Sequence, residues 1–303
     1  SLRYPLCSGR SKDKDRLEVL LEAIDIHIHG FSGLHTKDAD PYEILNMAQR
    51  LLQDGITGFL PTVYSRPLED MRRDMDAIKR AMLIQKDKGI VNQAEILGIH
   101  LEGPFLNPVR CGSLDAKAFL EPKERHLRDL IYGFEDVIKI ITIAPELDGA
   151  MKLIKKAVDL GITVSMGHSD AKFDEAEAGF NAGARGITHI FNAMRPIHHR
   201  EPGIAGFGLL NSHVYIEVIA DLNHLDIRMM EMIFKIKNPD YIIIVSDAVH
   251  ETGLKSTVVN GAGKLLGGSK TISQSAKTLI NAGLDSALIL KCISDNPKNY
   301  LLS

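Results

Sequence analysis

The run Ile24-Asp25-Ile26-His27-Ile28-His29-Gly30 decides how the chain is read. Isoleucines and polar residues alternate along it, and in a strand alternate side chains share a face. That puts Asp25, His27 and His29 on one side and the three isoleucines on the other. Two imidazoles on one face can close on a single cation, and Gly30 ends the run. The expectation is the first strand of an α/β barrel, with a metal seated at its C-terminal end. One strand cannot complete such a site, so the remaining ligands must come from later strands.

Outward from there the chain alternates. Asp40 is placed to cap a helix that has Pro41 in its first turn, a stripe of Ile44, Leu45, Ala48, Leu51 and Leu52, and Gly55 as its stop. Further apolar, strand-like runs fall at about 57–63, 96–102, 137–144, 162–167, 186–191, 214–220 and 241–246. Helical patterns lie between most of them, at about 68–85, 122–132, 148–160, 174–182 and 226–236, with more after Thr271. Strands alternating with helices imply a parallel sheet, and eight such units imply closure into a (β/α)8 barrel of the TIM type. The barrel is expected over 24–303, behind a polar lead-in at 1–23. A doubly wound open sheet lacks support, because no Gly-x-Gly-x-x-Gly follows the first strand.

Composition narrows the function. The chain has 303 residues, 45% hydrophobic and 25% charged, enough for a large core. A net charge of −3 offers no attraction to nucleic acid or to an anionic membrane. No apolar run approaches the roughly 18 residues that span a bilayer. Cys7, Cys111 and Cys292 are too few and scattered for a disulfide framework, so the expected compartment is the cytoplasm.

Active sites of such barrels lie at the C-terminal ends of the strands. There the chain places His27 and His29, then Glu102, His168, His189, the Asp221–His224 stretch and Asp247, on six of the eight strands. Imidazoles with a carboxylate suit zinc, iron or manganese. A catalytic metal keeps one position open for water and lowers its pKa. A carboxylate not committed as a ligand can then move the proton, and Asp247, on the last strand beside Ser246, is the candidate. The pattern reads as metal-assisted hydrolysis.

The blocks His27-Ile28-His29-Gly30, Gly98-Ile99-His100-Leu101-Glu102-Gly103-Pro104-Phe105, Met166-Gly167-His168-Ser169-Asp170-Ala171, Thr188-His189-Ile190-Phe191-Asn192-Ala193-Met194, Arg200-Glu201-Pro202-Gly203 and Ser246-Asp247-Ala248 occur in this order. Together they resemble the motif series of the N-acetylglucosamine-6-phosphate deacetylases, a family of the amidohydrolase superfamily. The resemblance implies Glu102, His168 and His189 as principal metal ligands and His27 with His29 as the pair for a second ion, so one or two divalent ions per chain, zinc foremost. It implies Asp247 as catalytic acid/base, Asn192, the Ala193 backbone and Arg200 as phosphate-binding elements, and His224 as a substrate contact. A homodimer is implied too, with Arg200 reaching across its interface to a phosphorylated amino sugar. The implied reaction releases acetate from N-acetylglucosamine 6-phosphate; the alternatives are a different N-acyl or phospho-sugar substrate, or a phospho-sugar binding protein with little catalysis.

Three departures from the family pattern bear on that reading. Leu114, in Cys111-Gly112-Ser113-Leu114, stands where the family has a histidine that helps polarise the acetyl carbonyl. Leucine donates nothing, and losing such a donor can cost roughly a hundredfold in rate. The short lead-in and the end after Tyr300 leave little chain for the family's small β-sandwich, expected to be absent or vestigial. Leu21-Glu22-Ala23 also replaces the usual Pro-Gly lead-in. Among other polar residues, His100 is either a support for the site or merely buried and hydrogen-bonded. His198 and His199 read as a solvated pair, His35, His126, His213 and His250 as surface or loop residues, and 261–270 as a flexible connection.

Overall fold

The computed structural model describes residues 22–89, 92–261 and 263–303. The lead-in expected at 1–23 therefore lies, as far as residue 21, outside the described residues. Eight barrel strands run in chain order: β1 Ala23–Ile28, β2 Ile56–Tyr64, β3 Ile99–Glu102, β4 Ile138–Ile143, β5 Thr163–Met166, β6 Gly186–Ile187, β7 Tyr215–Ile219 and β8 Ile242–Val245. Each pairs in parallel with the next. The ring closes where Ile28 bridges Ala248. There the His29 N–H donates to Ala248 O at 2.7 Å and the Asp247 N–H to His27 O at 2.9 Å.

Parallel neighbours need long crossovers, which helices supply. These are α1 Pro41–Gln53, α2 Leu68–Lys88, α3 Glu124–Ile131, α4 Ala150–Asp159, α5 Phe173–Asn181, α6 Gly203–Leu210 and α7 Ile227–Ile236, followed by α8 Ile272–Asn281, α9 Ser286–Ile293 and α10 Asp295–Leu301. The cap expected at Asp40 is present in both directions. Its carboxylate accepts from the Tyr42 and Glu43 N–H groups, and Glu43 accepts from the Asp40 N–H at 2.9 Å. Such a box contributes about 1 kcal/mol and sets where α1 begins.

Four local features differ from the periodic reading. Strand three is interrupted: Glu95–Ile96 pairs with β2, then Gly98 takes φ +148°, where an added Cβ would meet Val137 O at 2.7 Å. Strand six stops at Ile187, because His189 and Phe191 take φ of 30° and 74° and turn the chain. Helix α6, Gly-Ile-Ala-Gly-Phe-Gly-Leu-Leu, is buried apart from Leu210 and has no polar stripe for a periodic pattern to reveal. Strand β1 carries register shifts, so its alternation is not strict. Ile24 and Ile26 join Leu60, Ile140, Ile243 and Val245 in a cluster of strand residues plugged by Tyr300 of α10, while Ile28 joins the larger core shared with the helices.

A buried lysine ties the outer layer together. Lys237, 2% exposed after α7, donates to the carbonyls of Gly208, Asn211 and Val214. Each of those acceptors would lose its partner in a Lys237→Met variant, and an unsatisfied buried acceptor costs about 1–3 kcal/mol. The variant should lose about 3 kcal/mol in urea unfolding, and a loss under about 0.5 kcal/mol would show that water replaces the ammonium.

Candidate active site

Above the strand-lined apolar cluster the barrel interior turns polar. Asp25, His27, Thr62, His100, Thr142, Ser165, Thr188 and Glu217 are all buried. At the strand ends, Glu102 Oε1 lies 2.9 Å from His168 Nε2, 3.1 Å from His189 Nε2 and 3.6 Å from His27 Nε2. Glu102 Oε2 is 3.4 Å from His29 Nε2, and Asp247 Oδ1 is 3.3 Å from the same nitrogen. Glu102, His168 and His189 form one compact donor group, and His27, His29 and Asp247 form another beside it.

The tautomers point the donors inward. A carbonyl can only accept, so His168 Nδ1, 3.0 Å from Arg110 O, and His29 Nδ1, 3.3 Å from Thr62 O, carry their protons there. The Glu217 carboxylate does the same for His27 Nδ1 at 3.0 Å. Each of these rings is left with its Nε2 lone pair facing the centre, the arrangement that supports metal ligation. His27 and His29 Nε2 are 3.2 Å apart, as are His168 and His189 Nε2. Facing lone pairs repel unless a cation lies between them. Tetrahedral zinc with bonds near 2.05 Å sets its donors about 3.3 Å apart, so both pairs fit such an ion.

Burial opposes charge on the two β1 imidazoles, but neighbouring carboxylates outweigh it. Hydrogen bonds accepted by the Asp247 and Glu102 carboxylates hold His29 up at about 9, and those accepted by Glu102 and Glu217 hold His27 well above the ordinary range. A proton and a metal ion compete for the same lone pairs, so an environment that favours one favours the other. Burial pushes Glu102 and Asp247 the opposite way, yet both stay below the usual carboxylate range, Glu102 through His168 and Asp247 through His29. His100 has its pKa pushed well down by burial and is held by Ile26 O at 2.9 Å and Thr142 Oγ1 at 3.0 Å, so it is a satisfied neutral imidazole beneath the site.

Three of these residues have unusual backbones: His168, His189 and Asp247 take φ of 46°, 30° and 47°. Non-glycine residues in that region carry local strain, which persists where surrounding structure over-determines it. Apart from His27, the donor residues line a cavity of about 470 Å³, with Tyr64, Leu114, Asn192, Ala193, His224 and Lys264 among its other lining residues. Gly112 seals one wall: an added Cβ would lie 3.2 Å from both Ala193 Cβ and His168 Cε1. His224 Nδ1 donates to Asp221 at 3.1 Å, and the Asp221 carboxylate also accepts from Ser269.

The structure thus brings Asp247, His29, Glu102, His168, His189, Asn192, Ala193 and His224 to one cavity, with His27 fully buried behind its lining against Glu102 and Asp247. Arg200 is not among them: it is exposed, with its guanidinium on the His199 ring at 3.0 Å, and does not line the cavity. His35 and His250, expected as surface or loop residues, stack with ring centroids 4.2 Å apart and both line it. Glu217 was missed, because a single glutamate within an apolar strand carries no signal in one sequence. In and beside the segment expected as a flexible connection, Val259 and Leu265 form an antiparallel bridge, and Lys264 to Gly267 line the cavity.

Fold and site together define a barrel of the metallohydrolase class, with its ligand groups at the C-terminal strand ends. Residues 22–297 match the model of the amidohydrolase family. The chain is 34% identical to an N-acetylglucosamine-6-phosphate deacetylase of Bacillus subtilis, over 88% of its own length and 66% of that protein's. It is 30% identical to the one of Vibrio furnissii, over 88% and 70%. A mutant N-acetyl-D-glucosamine-6-phosphate deacetylase of Mycobacterium smegmatis, solved in complex with N-acetyl-D-glucosamine 6-phosphate, superposes with a TM-score of 0.84 at 28% identity, over 93% of this chain and 77% of that one. The chain belongs to the amidohydrolase family and, within it, to the N-acetylglucosamine-6-phosphate deacetylases. It spans just under two thirds of the Bacillus relative's length.

Proposed function

We propose that the chain hydrolyses the acetamide of N-acetylglucosamine 6-phosphate, releasing acetate and the free amine. The observation that carries this is Asp247: its carboxylate faces the Glu102–His168–His189 group across His27 and His29, in the lining of a cavity large enough for a sugar phosphate. The likeness to deacetylases over 88% of the chain supports the substrate.

Glu102, His168 and His189 would hold a principal divalent ion, zinc by donor type, and His27 with His29 a second. Such an ion, when bound, polarises the acetyl carbonyl and makes water more acidic. Asp247 then does the proton work. It takes a proton from the water as oxygen bonds to the carbonyl carbon, and hands it to the amide nitrogen as the C–N bond breaks. Asn192, the Ala193 N–H and His224 would orient the sugar phosphate. We read the assembly as a homodimer in which Arg200, absent from its own protomer's cavity, serves the partner's.

Leu114 favours a second reading, since it lines the cavity and offers no hydrogen bond to a carbonyl. An amidohydrolase acting on a different N-acyl or phospho-sugar substrate would also fit. The zinc-loaded protein should release acetate from N-acetylglucosamine 6-phosphate with a kcat/KM at least tenfold above that for the unphosphorylated sugar. Binding of the sugar phosphate without acetate release would leave a phospho-sugar binding protein, and turnover confined to another acyl sugar would support the second reading.

A further inference from the structure

We infer that Lys264 is a phosphate-recognising residue, supplying from within each protomer the positive charge that meets the substrate's phosphate. This deepens the proposed function and rests on its reading of a phosphorylated substrate. Imidazoles apart, Lys264 is the one cationic side chain among the described residues that line the cavity, and it is exposed where Glu102, His168 and His189 are buried.

Its position is built. Asn260 and Lys264 close a tight turn: the Lys264 N–H donates to Asn260 Oδ1 at 3.0 Å, the Asn260 N–H to Lys264 O at 2.8 Å, and the Gly263 N–H to Asn260 O at 2.9 Å. Gly263 takes φ +76°, a conformation glycine adopts without strain. Leu265 bridges Val259 in antiparallel fashion, and Leu265 to Gly267 continue along the cavity wall. From this turn the Lys264 ammonium donates to the carbonyl of Gly112.

A Cβ added at Gly112 would lie 3.2 Å from both Ala193 Cβ and His168 Cε1, so the ammonium is tied to the stretch of wall that Gly112 and Ala193 share. The Ala193 N–H has no hydrogen-bond partner among the described residues, and its φ of 49° exposes it at a turn. Among the described residues, the Ala193 N–H has no acceptor and the Lys264 ammonium has the Gly112 carbonyl, and both residues line the same cavity. A phosphate monoester offers several acceptor oxygens and a charge close to −2, and would satisfy both at once. Arg200 does not compete for this place within the protomer, because its guanidinium lies outside the cavity.

The test compares N-acetylglucosamine 6-phosphate with N-acetylglucosamine in steady-state kinetics of the zinc-loaded protein, for wild type, Lys264→Met and Lys264→Arg, with inorganic phosphate as a competitive probe. Lys264→Met should raise KM for the phosphorylated sugar about 10- to 100-fold, leave the unphosphorylated sugar and kcat within about twofold, and weaken inhibition by phosphate. Lys264→Arg should restore most of the preference. If Lys264→Met keeps the wild-type preference and phosphate inhibition, Lys264 has no such role, though the proposed function stands. If wild type itself shows no preference for the phosphorylated sugar, the phosphorylated-substrate reading falls and this role with it. Equal KM increases on both sugars would mean that the lysine only holds the turn, which also overturns the assignment.

Discussion

Asp247→Asn should cut acetate release by about 10³- to 10⁴-fold while leaving the fold and the principal metal content intact. Asparagine keeps the shape of the side chain but cannot accept and return a proton. The geometry makes this a sharp test. Asp247 Oδ1 lies 3.3 Å from His29 and 3.6 Å from His27, on the side of the donor group opposite His168 and His189. Its loss should therefore disturb a second ion before the first. The measurement is kcat for the zinc-loaded variant, with metal content by mass spectrometry and binding of the sugar phosphate by calorimetry. Retained binding with lost turnover is the expected result. A rate within tenfold of wild type would remove Asp247 from the proton transfer and leave His224 as the nearest alternative.

Glu102→Ala should lose the metal as well as the activity. Its Oε1 reaches His168, His189 and His27, and its Oε2 reaches His29, so one carboxylate joins both ligand groups. Removing it leaves His168 and His189 without the carboxylate that joins them, and Asp247, against His29 and His27, as the remaining carboxylate of the two donor groups. Affinity for zinc should fall by more than about 100-fold, beyond what is seen when a supporting residue behind a ligand is lost. His27→Ala should cost less, because it leaves Glu102, His168 and His189 together. Zinc titration of the two variants separates them, and equal losses would make the division into principal and second ion wrong. Both variants should remain folded when stripped of metal, since the barrel rests on a large apolar core that the ligand groups do not build.

Much of this was legible residue by residue. Helix α1 is announced by Asp40, Pro41 and its apolar stripe, and the observed capping box agrees. The eight strands and most crossovers follow from runs of isoleucine and valine alternating with amphipathic segments. Helix α6 was not legible, because buried helices carry no periodicity, and neither was the end of β6 at Ile187. His189 and Phe191 turn the chain there through left-handed backbone that nothing in residue type prefers; the tertiary setting imposes it.

The sequence by itself determined the barrel and which residue types reach its rim, because both rest on local rules: strands expose alternate side chains, and parallel strands all end on the same side. Only the tertiary structure decided which of those residues meet. Ring closure brings Asp247 to His27 and His29, across more than 200 positions of chain, and sets Glu102 between the two imidazole pairs. It turned the His-x-His of β1 from a presumed pair on one strand into part of a wider donor group, with Glu217 behind His27 and Thr62 behind His29. It also brought Lys264 to Gly267 to the cavity wall and left Arg200 outside. Contacts of that kind depend on how the loops pack over the barrel end, and no periodicity or spacing encodes them.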